Sequence, residues 1–138
     1  MQIKQILQAQ RENVRVLVTG LYRAKILEMA STDPFLEAMV EELPVQHTQD
    51  KLRARALCRK ANALYASYLE LMERPSQSVQ LRLLASDDCG FVADTIAQNS
   101  GMDYRDKAKL LCQPNPLRRL ESTIGMLPPE VATPRLES

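Results

Sequence analysis

The sequence predicts an α+β protein in which a small, incomplete β lobe precedes a bundle of α-helices. Val14, Val16 and Val18 alternate with other residues at a period of two, as on one face of a strand. From residue 49 onward, apolar residues recur at spacings of three and four, as on one side of a helix. We therefore predict a partial β lobe at residues 1–47, a helical bundle at residues 48–127 and a flexible, proline-containing tail at residues 128–138.

The β lobe divides into extended runs separated by turn residues. Gly20 allows a bend after the valine run, and residues 23–28 can form a further strand. Residues 31–34 (Ser-Thr-Asp-Pro) are typical of a turn. Residues 35–43 fit both helical and strand periodicity, but the preceding turn and the following Pro44 favour a strand.

The first helix is predicted over residues 49–73, with Thr48 as N-cap, Asp50 at the positive end of the helix dipole and Pro75 as the stop. Its predicted apolar stripe consists of Leu57, Ala61, Leu64, Tyr68 and Leu71. A second helix near Ser76 would bury Val79, Leu84 and either Leu81 or Leu83.

Three more helices have clear start signals. Residues 86–88 (Ser-Asp-Asp) cap the third helix, which buries Val92 and Ile96 and ends at Gly101. Asp103 caps the fourth, with Asp106 as part of a capping box. Asn115 followed by Pro116 starts the fifth, which residues 128–129 (Pro-Pro) close. The fourth helix is expected to bury Leu110 and Leu111, and the fifth Leu117, Leu120, Ile124 and Leu127.

Composition excludes several function classes. The net charge is +1, so no overall field attracts nucleic acid or an anionic membrane. No apolar run approaches the ~20 residues that a membrane-spanning helix needs, and the first residues lack the apolar core of a signal peptide. The three cysteines, Cys58, Cys89 and Cys112, are odd in number and widely spaced, which indicates free thiols and a cytoplasmic protein.

Catalytic and metal-binding motifs are not found in the sequence. No two of the four glycines are close enough to form a phosphate loop. His47 is the only histidine, and eleven residues separate it from Cys58, so surface and core roles are favoured over a Cys–His nucleophile or zinc site. Asp87 and Asp88 are interpreted as helix-capping acids rather than metal ligands. The basic residues Lys51, Arg53, Arg55, Arg59 and Lys60 are interpreted as a solvated helix face rather than a nucleic-acid site.

Several segments, in this order and spacing, resemble the N-terminal domain of the ATP-dependent Lon proteases. Residues 20–26 are similar to that family's Gly-Leu-x-Arg-Ala-x-Ile strand, and residues 37–43 to the strand after it. Residues 93–97 match its Ala-Asp-x-Ile-Ala almost completely. The segments around 106–111 and 119–120 are similar to its Lys-x-x-Leu-Leu helix and its closing Arg-Leu pair.

The resemblance implies a non-catalytic domain that recognises unfolded or damaged proteins for ATP-dependent serine proteolysis. It implies no cofactor for this segment, with ATP and Mg expected only in a parent enzyme's ATPase module. The family opens with further strands that are not found here, so we expect either a fragment or a short stand-alone relative. The alternative functions are an adaptor or scaffold without a protease and, with less support, a small Cys-dependent enzyme.

The candidate substrate-binding residues lie in the predicted β lobe. Met29 and Met39 flank Phe35 and Leu36, and flexible thioether side chains suit a surface that accepts varied apolar partners. Roles as core fillers fit the two methionines equally well. Because about three short strands bury too little apolar surface to stand alone, we also expect self-association through the β lobe.

Overall fold

A computed structural model describes residues 2–10, 13–47, 50–73 and 77–129 of the chain. Its contacts divide it into Met1–Val45 and Gln46–Ser138, which we call the β unit and the helical unit. The described residues form two antiparallel sheets and five helices, which confirms the predicted α+β class. Most of the predicted tail, residues 130–138, lies outside the described residues.

The β unit consists of two hairpins. Strand β1 (Gln2–Gln10) pairs with β2 (Asn13–Thr19), and β3 (Ala24–Ser31) pairs with β4 (Glu37–Glu42). The strand predicted within residues 35–43 is thereby confirmed. The register of each pair shifts twice, and each shift places one extra residue on the first strand of the hairpin as a β-bulge.

The helices of the helical unit are α1 (Lys51–Leu71), α2 (Gln77–Leu84), α3 (Cys89–Asn99), α4 (Tyr104–Leu111) and α5 (Pro116–Met126). The predicted N-cap of α1 was wrong. Asp50 caps this helix by accepting a hydrogen bond from the Arg53 backbone N–H, while Thr48 lies outside the described residues. The Asn115 cap of α5 is confirmed, since its side chain accepts hydrogen bonds from the next turn. No helix among the described residues is long and apolar enough to cross a bilayer.

The buried side of α1 differs from the predicted stripe. Leu57 and Leu64 are only partly buried, and Leu71 is exposed. The buried residues are Ala54, Cys58, Ala61, Tyr65, Tyr68 and Leu69. The predicted and observed sets share Ala61 and Tyr68, but the observed set also includes the small side chains of Ala54 and Cys58. Large leucines dominated the sequence pattern, whereas the small residues Ala54 and Cys58 are the ones that contact Cys89 of α3.

The shorter helices each bury one side, as helices on a bundle surface do. The sequence left open whether Leu81 or Leu83 of α2 is buried, and the structure shows that Leu83 is buried and Leu81 is exposed. The predicted burial of Leu84 was wrong, because this side chain is exposed. In α4, Leu110 is buried and Leu111 is exposed, so that prediction was half wrong. Asp103 begins α4 without a side-chain capping bond.

Helix α3 forms the centre of the unit and packs against α1, α2 and α5. Val92 and Ile96 are fully buried, as predicted, and they meet Leu120 of α5 in the same core. Beyond the C-cap Ser100, Gly101 adopts a positive φ of 67°, which confirms the predicted helix end. The Tyr68 hydroxyl donates a hydrogen bond to the Ser100 carbonyl and ties this end to α1.

A buried arginine links α3 to α5. Arg119 is 7% exposed, and its Nε lies 3.0 Å from Oδ1 of Asp94. Its Nη1 donates to the Gln113 carbonyl at 2.8 Å, in the connection before α5. A Cβ added at Gly90 would lie 2.7 Å from Nη2 of this guanidinium, so the glycine gives it room.

Candidate functional site

The β3–β4 hairpin carries an uncovered apolar face. Directly paired residues share one side of a sheet, and successive residues alternate between sides. Val40 and Ala38 are two residues apart in β4 and so lie on one side of the sheet. Their partners Ile26 and Met29 lie on that side too, because the bulge after Ile26 adds one residue to β3. We call these four residues the apolar face. Ala38 is half-buried and the other three are exposed, so no described part of the chain covers this side.

The reverse side of the same hairpin is mixed in character. Met39 pairs with Glu28, and Lys25 pairs with Glu41. Charged side chains interrupt this side, so it lacks the continuous apolar surface that marks an interaction site. The two sides of one hairpin therefore offer different chemistry to a partner.

The connection between β3 and β4 presents two further apolar side chains. Phe35 and Leu36 are both exposed, and Leu36 is 73% exposed. The connection contains a cis peptide bond between Asp33 and Pro34, and the Ser31 hydroxyl donates to the Asp33 carbonyl at 2.9 Å. Both apolar residues therefore lie exposed at the tip of the β3–β4 hairpin.

The four predicted site residues therefore lie on one hairpin but on different parts of it. Met29 is on the apolar face, Met39 is on the reverse side, and Phe35 and Leu36 are at the tip. Sequence reasoning missed Ile26 and Val40 as neighbours of Met29. Period-two alternation assigns Met29 to the side opposite Ile26, and only the bulge between them brings the two together.

The β1–β2 hairpin also leaves apolar residues exposed. Val14, Val16 and Val18 lie on one side of β2, as predicted, and Ile3 pairs with Val18. All four are exposed. Each sheet has only two strands among the described residues, so each strand keeps one edge open to further backbone hydrogen bonds.

The basic face of α1 is partly neutralised within the helical unit. Arg53 lies 2.6 Å from a carboxylate oxygen of Glu121, and Arg55 lies 3.4 Å from Asp87. All four side chains are more than 40% exposed, as expected of a solvated helix surface.

The acidic pair before α3 serves structure. Asp88 caps α3 by accepting hydrogen bonds from the backbone N–H groups of Gly90 and Phe91, at 2.9 and 3.3 Å. Asp87 pairs with Arg55 instead of capping. Among the described residues, no group of three or more His, Cys, Asp or Glu side chains could hold a metal ion.

The thiol of Cys58 is unsuited to nucleophilic catalysis. Burial, and after it the neighbouring Cys89, raise its pKa to about 12, so the sulfur stays protonated near neutral pH. His47 and Cys89 line one shallow cavity with Lys51, Arg55, Ala54, Asp87 and Asp88. Among the described residues of this cavity, Arg55 and Asp87 form an ion pair, and both side chains are exposed.

Comparison with known proteins agrees with this picture of a binding segment. The family model described as the ATP-dependent protease La (LON) substrate-binding domain matches residues 1–128. The chain belongs to this family, which confirms the resemblance found in the sequence.

Related proteins from several bacteria are named Lon protease. The Lon protease of Desulfovibrio desulfuricans is 34% identical over 119 residues, which are 86% of this chain and 14% of that protein. The Lon protease of Trichlorobacter lovleyi is 33% identical, over 83% of this chain and 14% of its own length. That of Xanthomonas oryzae pv. oryzae is 26% identical over 99% of this chain. The chain thus spans only about a seventh of the length of the first two relatives.

Proposed function

We propose that this chain is the segment of a Lon-type, ATP-dependent serine protease that captures unfolded or damaged polypeptides. Its membership of a substrate-binding family supports this role. The observation that carries the proposal is the apolar face of Ile26, Met29, Ala38 and Val40, which no described residue covers. An unfolded chain differs from a folded one in exposing apolar side chains and unpaired backbone groups, and this hairpin can bind both.

The proposed mode of binding is strand addition. An extended polypeptide pairs its backbone N–H and C=O groups with an open edge of the hairpin, while its alternate side chains lie on the apolar face. Backbone pairing is independent of sequence, and the flexible Met29 side chain adapts to different apolar groups. The combination favours broad recognition of unfolded chains over one defined sequence.

Each predicted site residue has a place in this mode. Met29 contacts the substrate from the centre of the apolar face. Phe35 and Leu36 extend the contact at the tip, and Met39 offers a separate contact on the reverse side. The hairpin then contributes several small apolar contacts, each worth up to ~1.5–3 kcal/mol when fully buried.

The remaining functions of the protease belong to other segments in this proposal. ATP and Mg²⁺ act in an ATPase module, and peptide hydrolysis occurs in a serine protease module, while this segment binds neither cofactor. The proposal places the protein in the cytoplasm and includes self-association through the β unit, for which the open strand edges provide the surface.

Substrate capture is tested by fluorescence anisotropy. The labelled ligand is an unfolded substrate protein, kept unfolded by reduction and carboxymethylation. Leu36→Asp in the hairpin is compared with Leu81→Asp in α2, because the two leucines are similarly exposed, at 73% and 66%. We expect Leu36→Asp to weaken binding about tenfold or more, as the loss of one buried apolar contact and the burial of a charge require. We expect Leu81→Asp to bind like the unchanged chain. The proposed site would be contradicted if both variants lost affinity equally, or if neither variant lost affinity.

A second matched pair identifies the side of the hairpin. Met29→Asp and Met39→Asp make the same change on opposite sides of the β3–β4 hairpin. A larger loss in Met29→Asp assigns the contact to the apolar face. A larger loss in Met39→Asp would instead move the contact to the reverse side and overturn the central role of the apolar face.

A further inference from the structure

Two cysteines from different helices meet inside the helical unit. Cys58 lies on α1, and Cys89 is the first residue of α3. Their sulfur atoms are 3.8 Å apart, and each residue is only 2% exposed. Sulfurs in a disulfide are about 2.05 Å apart, so a further approach of roughly 1.8 Å would join them. The sequence, with three widely spaced cysteines, gave no sign of this contact.

Each of the two residues also lines a cavity that opens to solvent. Cys89 lines a cavity of about 460 Å³ beside Lys51 and His47. Cys58 lines another, of about 580 Å³, beside Asn62 and Tyr65. Both volumes are many times that of a water molecule, so an oxidant as small as hydrogen peroxide fits in the cavities beside the two residues.

We propose that Cys58 and Cys89 are a site of reversible oxidation, where a small peroxide converts the two thiols to a disulfide that joins α1 to α3. This site is separate from the hairpin proposed to bind polypeptides. Its role is modification of the helical unit, and it stands whether or not the hairpin binds substrate.

The reaction proceeds in two displacements. The Cys89 sulfur attacks one peroxide oxygen, the O–O bond breaks, and the departing hydroxide takes up the thiol proton and leaves as water. The Cys58 sulfur then attacks the sulfur of the Cys89 sulfenic acid, and the S–O bond breaks. The second hydroxide takes up the Cys58 proton and also leaves as water. Two thiols and one peroxide thus give one disulfide and two waters, and a dithiol reductant reverses the change.

The geometry explains why the second step favours a disulfide over further oxidation. Cys58 is already in contact with the sulfur it must attack, so its effective concentration far exceeds that of any free peroxide. Burial raises the pKa of Cys58, so this thiol must release its proton to the departing hydroxide as it attacks. The Ala54 carbonyl, 3.7 Å from the Cys89 sulfur, holds that side chain facing α1.

The disulfide would close a loop between residues 31 positions apart. Such a crosslink restricts the unfolded chain more than the folded one, so the helical unit should become harder to unfold. For a unit of this size the melting temperature should rise by about 10 °C or more.

The test uses the full chain with Cys112→Ser, because Cys112 is the one exposed thiol and would form crosslinks between molecules. The protein is treated with a small excess of hydrogen peroxide at neutral pH, with and without denaturing urea. We expect the folded protein to lose about 2 Da, the mass of two hydrogens. Peptide mapping should show a Cys58–Cys89 link, and dithiothreitol should restore both the mass and the melting temperature.

Matched controls carry Cys58→Ala or Cys89→Ala in the same background. After circular dichroism shows them folded, they should gain oxygen or remain unchanged, and neither should lose 2 Da. The proposal is overturned if the folded Cys112→Ser protein gains oxygen without forming the link. It is also overturned if the link forms only in urea, because contact in the folded state would then have no part in it.

Discussion

Oδ1 of Asp94 lies 3.0 Å from Nε of Arg119, and this ion pair joins α3 to α5. Both residues belong to segments that carry the resemblance to Lon proteases, residues 93–97 and 119–120. In this chain their roles are structural, since Arg119 is buried and also bonds to the Gln113 carbonyl. These family-like residues of the helical unit therefore serve helix packing, and the proposed recognition surface lies on the β3–β4 hairpin.

Arg119→Met should destabilise the helical unit by about 2–4 kcal/mol, because it leaves the Gln113 carbonyl without its Nη1 donor and removes the ion pair with Asp94. Arg118→Met, at the exposed neighbouring position, is the control and should change stability by less than about 0.5 kcal/mol. Urea unfolding followed by circular dichroism measures both. Equal effects would mean that the buried guanidinium has no special role.

Gly90→Ala and Gly125→Ala should have opposite effects. A methyl at Gly90 would lie 2.7 Å from the Arg119 guanidinium and displace it, whereas no described atom outside the local helix backbone lies within 4 Å of one at Gly125. Gly125 is inside α5, where alanine is favoured over glycine by up to ~1 kcal/mol. We expect thermal melting to fall for the first variant and to rise for the second. A rise in both would show that Arg119 moves aside without cost.

Ile96→Ala should cost about 2–5 kcal/mol, the usual range for a large-to-small change in a core. Ile96 is fully buried in the core cluster, whereas Leu64 is only partly buried. Leu64→Ala should therefore cost clearly less, although the sequence predicted equal roles for the two residues. Chemical denaturation of both variants gives the comparison, and a smaller loss for Ile96→Ala would contradict the observed core.

Val16→Pro should weaken self-association of the β unit. Proline removes the backbone donor of Val16 from β2, which pairs with β1 at Ile6. Val16→Thr keeps that donor and serves as the control. Size-exclusion chromatography with light scattering measures the mass of each variant. If Val16→Pro also melts the helical unit, the two units share one core and their separation at Val45 is wrong.

The stability of the helical unit should fall as pH rises above about 9. The pKa of Cys58 is raised from 9.0 to about 12 in the folded state, chiefly by burial, so the folded chain holds this proton more tightly than the unfolded chain. The stabilisation is complete below pH 9 and disappears between pH 9 and 12. Cys58→Ala, which lacks the group, should lose less stability over the same range. Parallel pH dependence in the two proteins would refute the assignment.

Regular elements were predictable from this sequence because their signals are local. The Asn115 and Pro116 start of α5, the Gly101 end of α3 and the valine alternation of β2 each depend on a few adjacent residues. Their positions in the structure follow those signals closely.

Side-chain partners were less predictable because they depend on the approach of distant segments. The stripe of α1 was misplaced because Ala54 and Cys58 carry little hydrophobic signal, although they lie where another helix approaches closely. The apolar face was incomplete because one bulge in β3 reverses the alternation between Ile26 and Met29. Neither feature has a signature within a short stretch of sequence.

The apolar strand residues whose burial the structure describes are nearly all exposed, which distinguishes the hairpins from the helical unit. The core cluster of buried residues lies in the helical unit, and none of its described members belongs to the hairpins. A ligand that binds only the ordered hairpins raises their melting point with its concentration and leaves the helical transition in place. Heat-capacity scans at several ligand concentrations would then contain their own internal reference, because one transition moves while the other stays fixed.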